Sequence, residues 1–216
     1  WGPGLIDRVG IRTQYGIKST SLAIFGQLDW AITDELHLLP GIRYNYDKKV
    51  AHYDRVNYID NQITYTDAQL AAVKGIYSNQ QFDVDADAGN LSGQLSLQYR
   101  FTPNYSAFAT YSKSYKPIGI NVGGLPVIEG EVATALAEVK PESVNHYELG
   151  VKTNPIQNAF FNVTLFQTHI KDYQTQVQTP DPGVNRGYLA NAEKVSVKGL
   201  ELDGSIRATT FLGINA

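Results

Sequence analysis

Seven residues stand out for the chemistry they offer together: Lys48, Lys49, Tyr53, Arg55, Tyr58, Tyr65 and Tyr77. Cations interleaved with phenol rings suit an anionic, aromatic ligand, through ion pairing and through the attraction of a cation to a ring face. The same residue types are also common in long polar connections. A second group, Asp83, Asp85 and Asp87 in DVDADAG, resembles the start of a calcium loop, because alternate carboxylates can converge on a hard cation. The pattern then fails. Its glycine falls at Gly89, one place late, and Gln94 stands where a bidentate Glu is needed. A solvated strand entrance accounts for these carboxylates better. His37, His52, His146 and His169 show no ligand spacing, so no metal site is expected. GINVGG and GLPVIEGE lack the lysine of a phosphate loop and the spacing of a dinucleotide fingerprint, and nothing resembles a nucleophile elbow. Neither a cofactor nor a catalytic residue is expected.

Strands must position these residues. The chain is organised around 142–207, which runs ESVNHYELGVKTN, then AFFNVTLFQTHIKDYQTQ after a turn at NPIQN, then RGYLANAEKVSVKGLELDGSIRAT. Apolar residues fall on every second position, the period of a strand with one apolar and one polar face. Tyr147, Leu149 and Val151 oppose His146, Glu148, Gly150 and Lys152; Phe166 and Phe25 break the polar rows. The same alternation predicts strands over 21–32, 36–49, 91–101, 105–115, 142–154, 158–172 and 188–209, with an eighth near 10–15. Pro40 sits on an apolar row and should remove one ladder bond. Segments 50–90, 116–141 and 174–186 read as long loops, the first too long for a passive connection. Within it, Leu70, Val73, Lys74 and Tyr77 allow a short helix over 67–77.

Short turns at TDE, TPN and NPIQN alternate with those long links, an asymmetry that transmembrane barrels show between their two ends. Aromatics on the outward rows sort accordingly. Trp30, Tyr99, Phe101, Tyr105 and Phe161 lie beside the short turns, and Tyr44, Tyr46, Tyr111, Tyr115 and Tyr147 toward the long links. Leu95, Ala107, Leu149 and Val163 lie between. No apolar run approaches the roughly 20 residues of a spanning helix, whereas barrel strands need only be half apolar. The 216 residues are 43% hydrophobic and 18% charged, with a net charge of -3 spread along the chain, so nucleic acid is not an expected partner. With no cysteine, disulfide frameworks and thiolate sites are excluded. Without an N-terminal targeting segment at Trp1, the chain is not expected to be a complete precursor.

YELGVKTN, the strand ending HIKDYQTQ and YLANAEKVSVKGLELDG, together with GIRYNY earlier, resemble the C-terminal half of a TonB-dependent outer-membrane receptor barrel. The resemblance covers about residues 22–207 and implies an all-β, antiparallel, up-and-down transmembrane β-barrel of about 22 strands. This chain would supply an incomplete segment of about seven or eight strands, with 1–216 a partial barrel domain. The resemblance further implies an N-terminal plug and TonB box, absent here, and a Gram-negative outer-membrane location in contact with lipid. The implied activity is import of a scarce ligand, above all a ferric siderophore, with energy delivered by the TonB complex through the plug. On that basis the seven-residue set is the expected ligand-contacting group. Lumen charges such as Arg43, Asp47, Glu148, Glu201, Asp203 and Arg207 are expected to be structural. A passive porin or autotransporter, an outer-membrane enzyme barrel, and a soluble β-sandwich binding module are the alternatives. A plug upstream, esterase activity, and solubility without detergent would distinguish them. The first and last strands are expected not to pair.

Overall fold

A computed structural model describes residues 9–59, 66–68, 78–178, 187–207 and 209–215. In chain order its elements are β1 (Val9–Gln27), β2 (Trp30–Ala31), β3 (Leu36–Ile59), β4 (Gln80–Thr102), β5 (Tyr105–Lys116), β6 (Gly119–Ile120), β7 (Val127–Ile128) and β8 (Glu131–Val132). A 3₁₀ turn (Thr134–Leu136) precedes β9 (Glu138–Val139), β10 (Glu142–Thr153), β11 (Ala159–Gln178), β12 (Gly187–Arg207) and β13 (Gly213–Asn215). The principal sheet is an antiparallel meander in the order β1-β3-β4-β5-β10-β11-β12-β13, with β2 also on β3. Its terminal strands β1 and β13 are not neighbours, so the sheet is open, as expected of a barrel segment.

Register fixes the two faces. Leu95 lies opposite Tyr111, Leu97 opposite Ala109, Ala109 opposite Leu149, Leu149 opposite Leu165 and Leu165 opposite Leu200, so one row of aliphatic residues crosses five strands on a single face. Leu22, Leu38, Ala107, Val163 and Leu202 fall on that face too. Ser96, Thr110, Glu148 and Phe166 form the corresponding row on the other face, joined there by Arg43, Gln94, Asn162 and Asp203. Because side chains alternate strictly along a strand, each apolar row is matched by a polar one.

The phenylalanines that interrupt the polar rows have a packing reason. A Cβ placed on Gly199 would meet the Phe166 ring at 2.7 Å, and one on Gly150 would run into the Phe108 ring, so each ring covers a neighbouring glycine. Covering the bare backbone restores contact that a glycine in a strand lacks. Phe25 instead lies under the Arg43 guanidinium, 5.2 Å from its ring centroid.

Three expectations need correction. Segment 50–90 is not a loop: β3 continues to Ile59 and β4 begins at Gln80, paired from Leu36↔Tyr99 through Arg55↔Gln80. The polar–apolar alternation vanishes in the outer half of this hairpin because one face is covered by Leu125 and Ala137, while the other carries the Lys48–Asp85 and His52–Asp83 pairs. Likewise, β11 runs on to Gln178 and removes 174–178 from the third loop. Finally, 21–32 is part of a longer ladder beginning at Val9 and interrupted at residues 28–29. Opposite this gap stands Pro40, which accepts from the Leu28 amide at 3.0 Å but has no N–H to return. Of the helix expected over 67–77, only Asp67 and Ala68 are described, and they are helical; residues 69–77 lie outside the described residues.

The turns behave as the alternation predicts. Arg100 donates to the Asp34 carbonyl (2.6 Å), the Asn154 amide to Asn104 (2.8 Å) and the Arg207 amide to Asn158 (3.0 Å), which sets these turns along one end. Tyr58 lies at the opposite end, and Gly124 there abuts Arg55. Asp181, expected at this end as well, lies outside the described residues.

Candidate functional site

The buried centre of the chain sits at the long-link end, on the polar face. Segment 117–141 folds back over the extended β3–β4 hairpin and is not a simple loop. β6 pairs with β9, and β7 with β8 around Glu129 and Gly130, both at positive φ as a tight two-residue hairpin turn requires. Leu125 is completely buried against Tyr53, Phe82 and Ala137. Tyr53 and Phe82 stack with centroids 4.9 Å apart, and the Arg55 guanidinium lies 5.9 Å from the Tyr53 centroid.

Side-chain amides hold the segment down. Gln80 donates to the Leu125 carbonyl (2.7 Å) and accepts from the Leu125 amide (2.9 Å). Asn121 treats Leu189 of β12 the same way, at 2.9 and 2.7 Å. Gln174 donates to the Pro117 and Lys140 carbonyls, and Asn191 exchanges bonds with Lys140. An amide group presents a donor and an acceptor side by side, so it can close a short ladder on an irregular backbone that has lost its own partners. Glu142, buried, accepts from the Gln174 amide at 2.8 Å and from Lys116 at 3.1 Å.

The ligand set proposed from sequence divides between the faces. By β3 register Lys49, Tyr53 and Arg55 point to the polar side, whereas Lys48 and Tyr58 point to the other. Tyr53 and Arg55 come together beneath segment 117–141, both deeply buried, and Lys49 is half-buried. Lys48 pairs with Asp85 at 2.9 Å, and that hydrogen bond, with the carboxylate's charge, holds the ammonium above its ordinary pKa. Tyr58 covers Gly10. Tyr65 and Tyr77 lie outside the described residues. Asp83, Asp85 and Asp87 follow one another along one face of β4, spaced about 6.8 Å apart by the strand repeat. Separation lets them take partners individually: Asp83 meets His52 at 2.7 Å and Asp85 meets Lys48.

Lower on the polar face the charges satisfy one another. Arg43 donates to Asn45 (2.6 Å), His146 lies between Thr168 (2.8 Å) and Glu148 (2.9 Å), and Asn162 donates to Asp203 (3.2 Å). Tyr115 departs from its expected outward row. The β4–β5 ladder ends at Gly93↔Lys113, and past it the Tyr115 hydroxyl crosses to donate to buried Asp47 at 2.9 Å. Burial first, then this hydrogen bond, pushes the Tyr115 pKa up to about 12. On the opposite face the aromatics sort into two exposed levels: Trp30, Tyr99, Phe101, Tyr105 and Phe161 by the short turns, Tyr44, Tyr46, Tyr111 and Tyr147 toward the far end.

Residues 2–216 match the family described as TonB dependent receptor-like, beta-barrel. The chain belongs to this family. A pesticin receptor of Yersinia enterocolitica is 27% identical over 191 residues, which is 87% of this chain and 24% of that protein. The pesticin receptor of Yersinia pestis matches to the same extent. Among solved structures, the ferric yersiniabactin uptake receptor FyuA of Yersinia pestis superposes with a TM-score of 0.68 at 22% identity, over 93% of this chain and 26% of that one. The siderophore receptor PiuA of Acinetobacter baumannii does so at 0.63 and 17% identity, over 91% and 24%. This TonB-dependent receptor-like barrel segment thus spans about a quarter of the length of the relatives it matches. The open edges at β1 and β13 follow: a quarter of such a chain supplies too few strands to close so wide a circle.

Proposed function

We propose that the chain is part of the wall of an outer-membrane receptor that imports a scarce ligand, above all a ferric siderophore, with energy delivered through TonB. The observation that carries this proposal is the two-faced sheet within a TonB-dependent receptor-like barrel. An exposed apolar face with two aromatic levels suits lipid, and a polar face of mutually satisfied charges suits a water-filled or plugged lumen. Relatives named as receptors for pesticin and for ferric yersiniabactin support the ligand class.

Ligand approaches from the long-link end in this proposal. Of the seven-residue set, Lys49, Tyr53 and Arg55 face the lumen, and contact with the latter two requires segment 117–141 to lift. Lys48, Tyr58, Tyr65 and Tyr77 complete the proposed ligand-contacting set. The polar-face charges near the short turns, with Lys152, Asn162 and Asp203 around a hollow of about 370 Å³, form the wall against which a plug would rest. The chain binds and conducts; it performs no catalytic step.

The test is uptake of radiolabelled ferric siderophores by an iron-starved Gram-negative host expressing the parent protein, with and without a functional TonB. TonB-dependent accumulation of iron is expected. Accumulation indifferent to TonB would point to a passive porin, and saturable uptake of another cargo would change the ligand.

A further inference from the structure

On the lipid-facing side, just beyond the upper aromatic level, four strands carry a cationic field. Lys113, Asn145, His169 and Ser196 are consecutive partners across β5, β10, β11 and β12. One row further out, Lys171 and Lys194 are direct cross-strand partners; one row nearer the membrane, Tyr111, Tyr147, Gln167 and Lys198 align. All four lysines are exposed, and among the described residues none makes an ion pair. No Asp or Glu stands on these three rows. By contrast, on β3 and β4 Lys48 is paired with Asp85, and His52 lies 2.7 Å from Asp83.

Placing like charges directly opposite one another destabilises a sheet, so the Lys171–Lys194 pair needs a counter-charge, and no described residue forms an ion pair with either lysine. Other polar groups of the field are prepared for one. His169 Nδ1 is buried and has no hydrogen-bond partner among the described residues, and Tyr111 donates to Asn145 Oδ1 (2.8 Å), which orients the Asn145 amide. Next toward the membrane comes the aliphatic row Ala109, Leu149, Leu165 and Leu200.

We propose that this field is a binding site for a phosphorylated glycolipid of the outer leaflet, its phosphates between the lysines and its acyl chains along the Leu149–Leu165–Leu200 row. Continuity of the cations with the apolar face selects a lipid over a free anion. The rows from Lys198 to Lys171 and Lys194 span about 14 Å along the strands, room for a headgroup with two separated phosphates. The site rests on the outer-membrane orientation proposed above.

The parent protein, folded in detergent, should be titrated with bisphosphorylated lipid A and with its dephosphorylated form, and bound lipid counted by native mass spectrometry. A lysine near an anionic lipid surface contributes about a fivefold effect, so K171Q/K194Q should weaken bisphosphorylated lipid A roughly 30-fold. K171R/K194R should retain it, and the dephosphorylated lipid should bind every form equally weakly. Equal binding of both lipids, or of wild type and K171Q/K194Q, would overturn the site, as would full competition by millimolar inorganic phosphate. Insertion of wild type into lipid vesicles, followed by heat-modifiable migration on gels, tests the orientation separately: an inserted barrel without phosphate preference defeats only the lipid site.

Discussion

Leu95 and Gln94 are adjacent, yet they face opposite solvents, because one step along a strand changes sides. A charge at Leu95 would enter hydrocarbon near the middle of the apolar band, where lysine costs about 2–4 kcal/mol; at Gln94 it would enter the polar lumen. Leu95→Lys in the parent protein should therefore lower unfolding free energy in lipid vesicles by that amount, and Gln94→Lys by much less. Equal losses would deny the lipid-facing row. Tyr115 gives a second residue-scale prediction. Its pKa stands near 12, above the ordinary 10, so the bond to Asp47 is fully present below pH 10 and is lost as pH rises through about 12. The phenolate absorbance titration of wild type minus Tyr115→Phe should show one tyrosine ionising near 12, well after an ordinary step at 10.

Among the elements, what was legible and what was not divides at the edge of the membrane. The lipid-facing rows through Leu95, Leu149 and Val163 could be read because a single residue in the wrong parity there would put a polar group into hydrocarbon, so the alternation is strict. Above Tyr44 and Leu91 that constraint ends. His52 and Asp54 share a face with Val50, and Tyr53 is buried by a segment distant in sequence, so no period betrays the ten further residues of β3 and the matching start of β4. Nor could the amides Gln80, Asn121, Gln174 and Asn191 be found from spacing, since their partners lie up to 68 residues away. Gln80 and Gln174 also sit among other neutral polar residues, in SNQQ and YQTQVQ, so neither stands out from its neighbours. If Gln80 anchors segment 117–141, Gln80→Leu leaves both polar groups of Leu125 unpaired in a buried place, at about 1–3 kcal/mol each. Hydrogen exchange at the Leu125 amide should then accelerate at least tenfold, while exchange in the β10–β11 ladder stays unchanged. No change at Leu125 would mean that apolar packing alone holds the segment.

For the molecule as a whole, the open sheet has consequences that no single strand has. β1 is 19 residues long and pairs on one side only, with β3, so every second amide along it points toward an absent neighbour. Ile11, Ile17, Leu22 and Phe25 are exposed along the same edge, which leaves the combination that templates strand addition: unpaired backbone beside apolar side chains. In the parent barrel another strand must occupy that edge. The isolated 216-residue chain should therefore aggregate on dilution from denaturant, and its light scattering should fall when Lys or Pro is introduced at Ile17, away from the β3 ladder's short-turn end. The decisive measurement is amide exchange on the chain held monomeric in detergent, with monodispersity checked by sedimentation. Alternate β1 amides should exchange without protection, and in the intact receptor the same amides should be protected like those of β10. Uniform protection of β1 in the monomer would show the sheet closing on itself, and would make this chain a small barrel in its own right and not a segment of a larger wall.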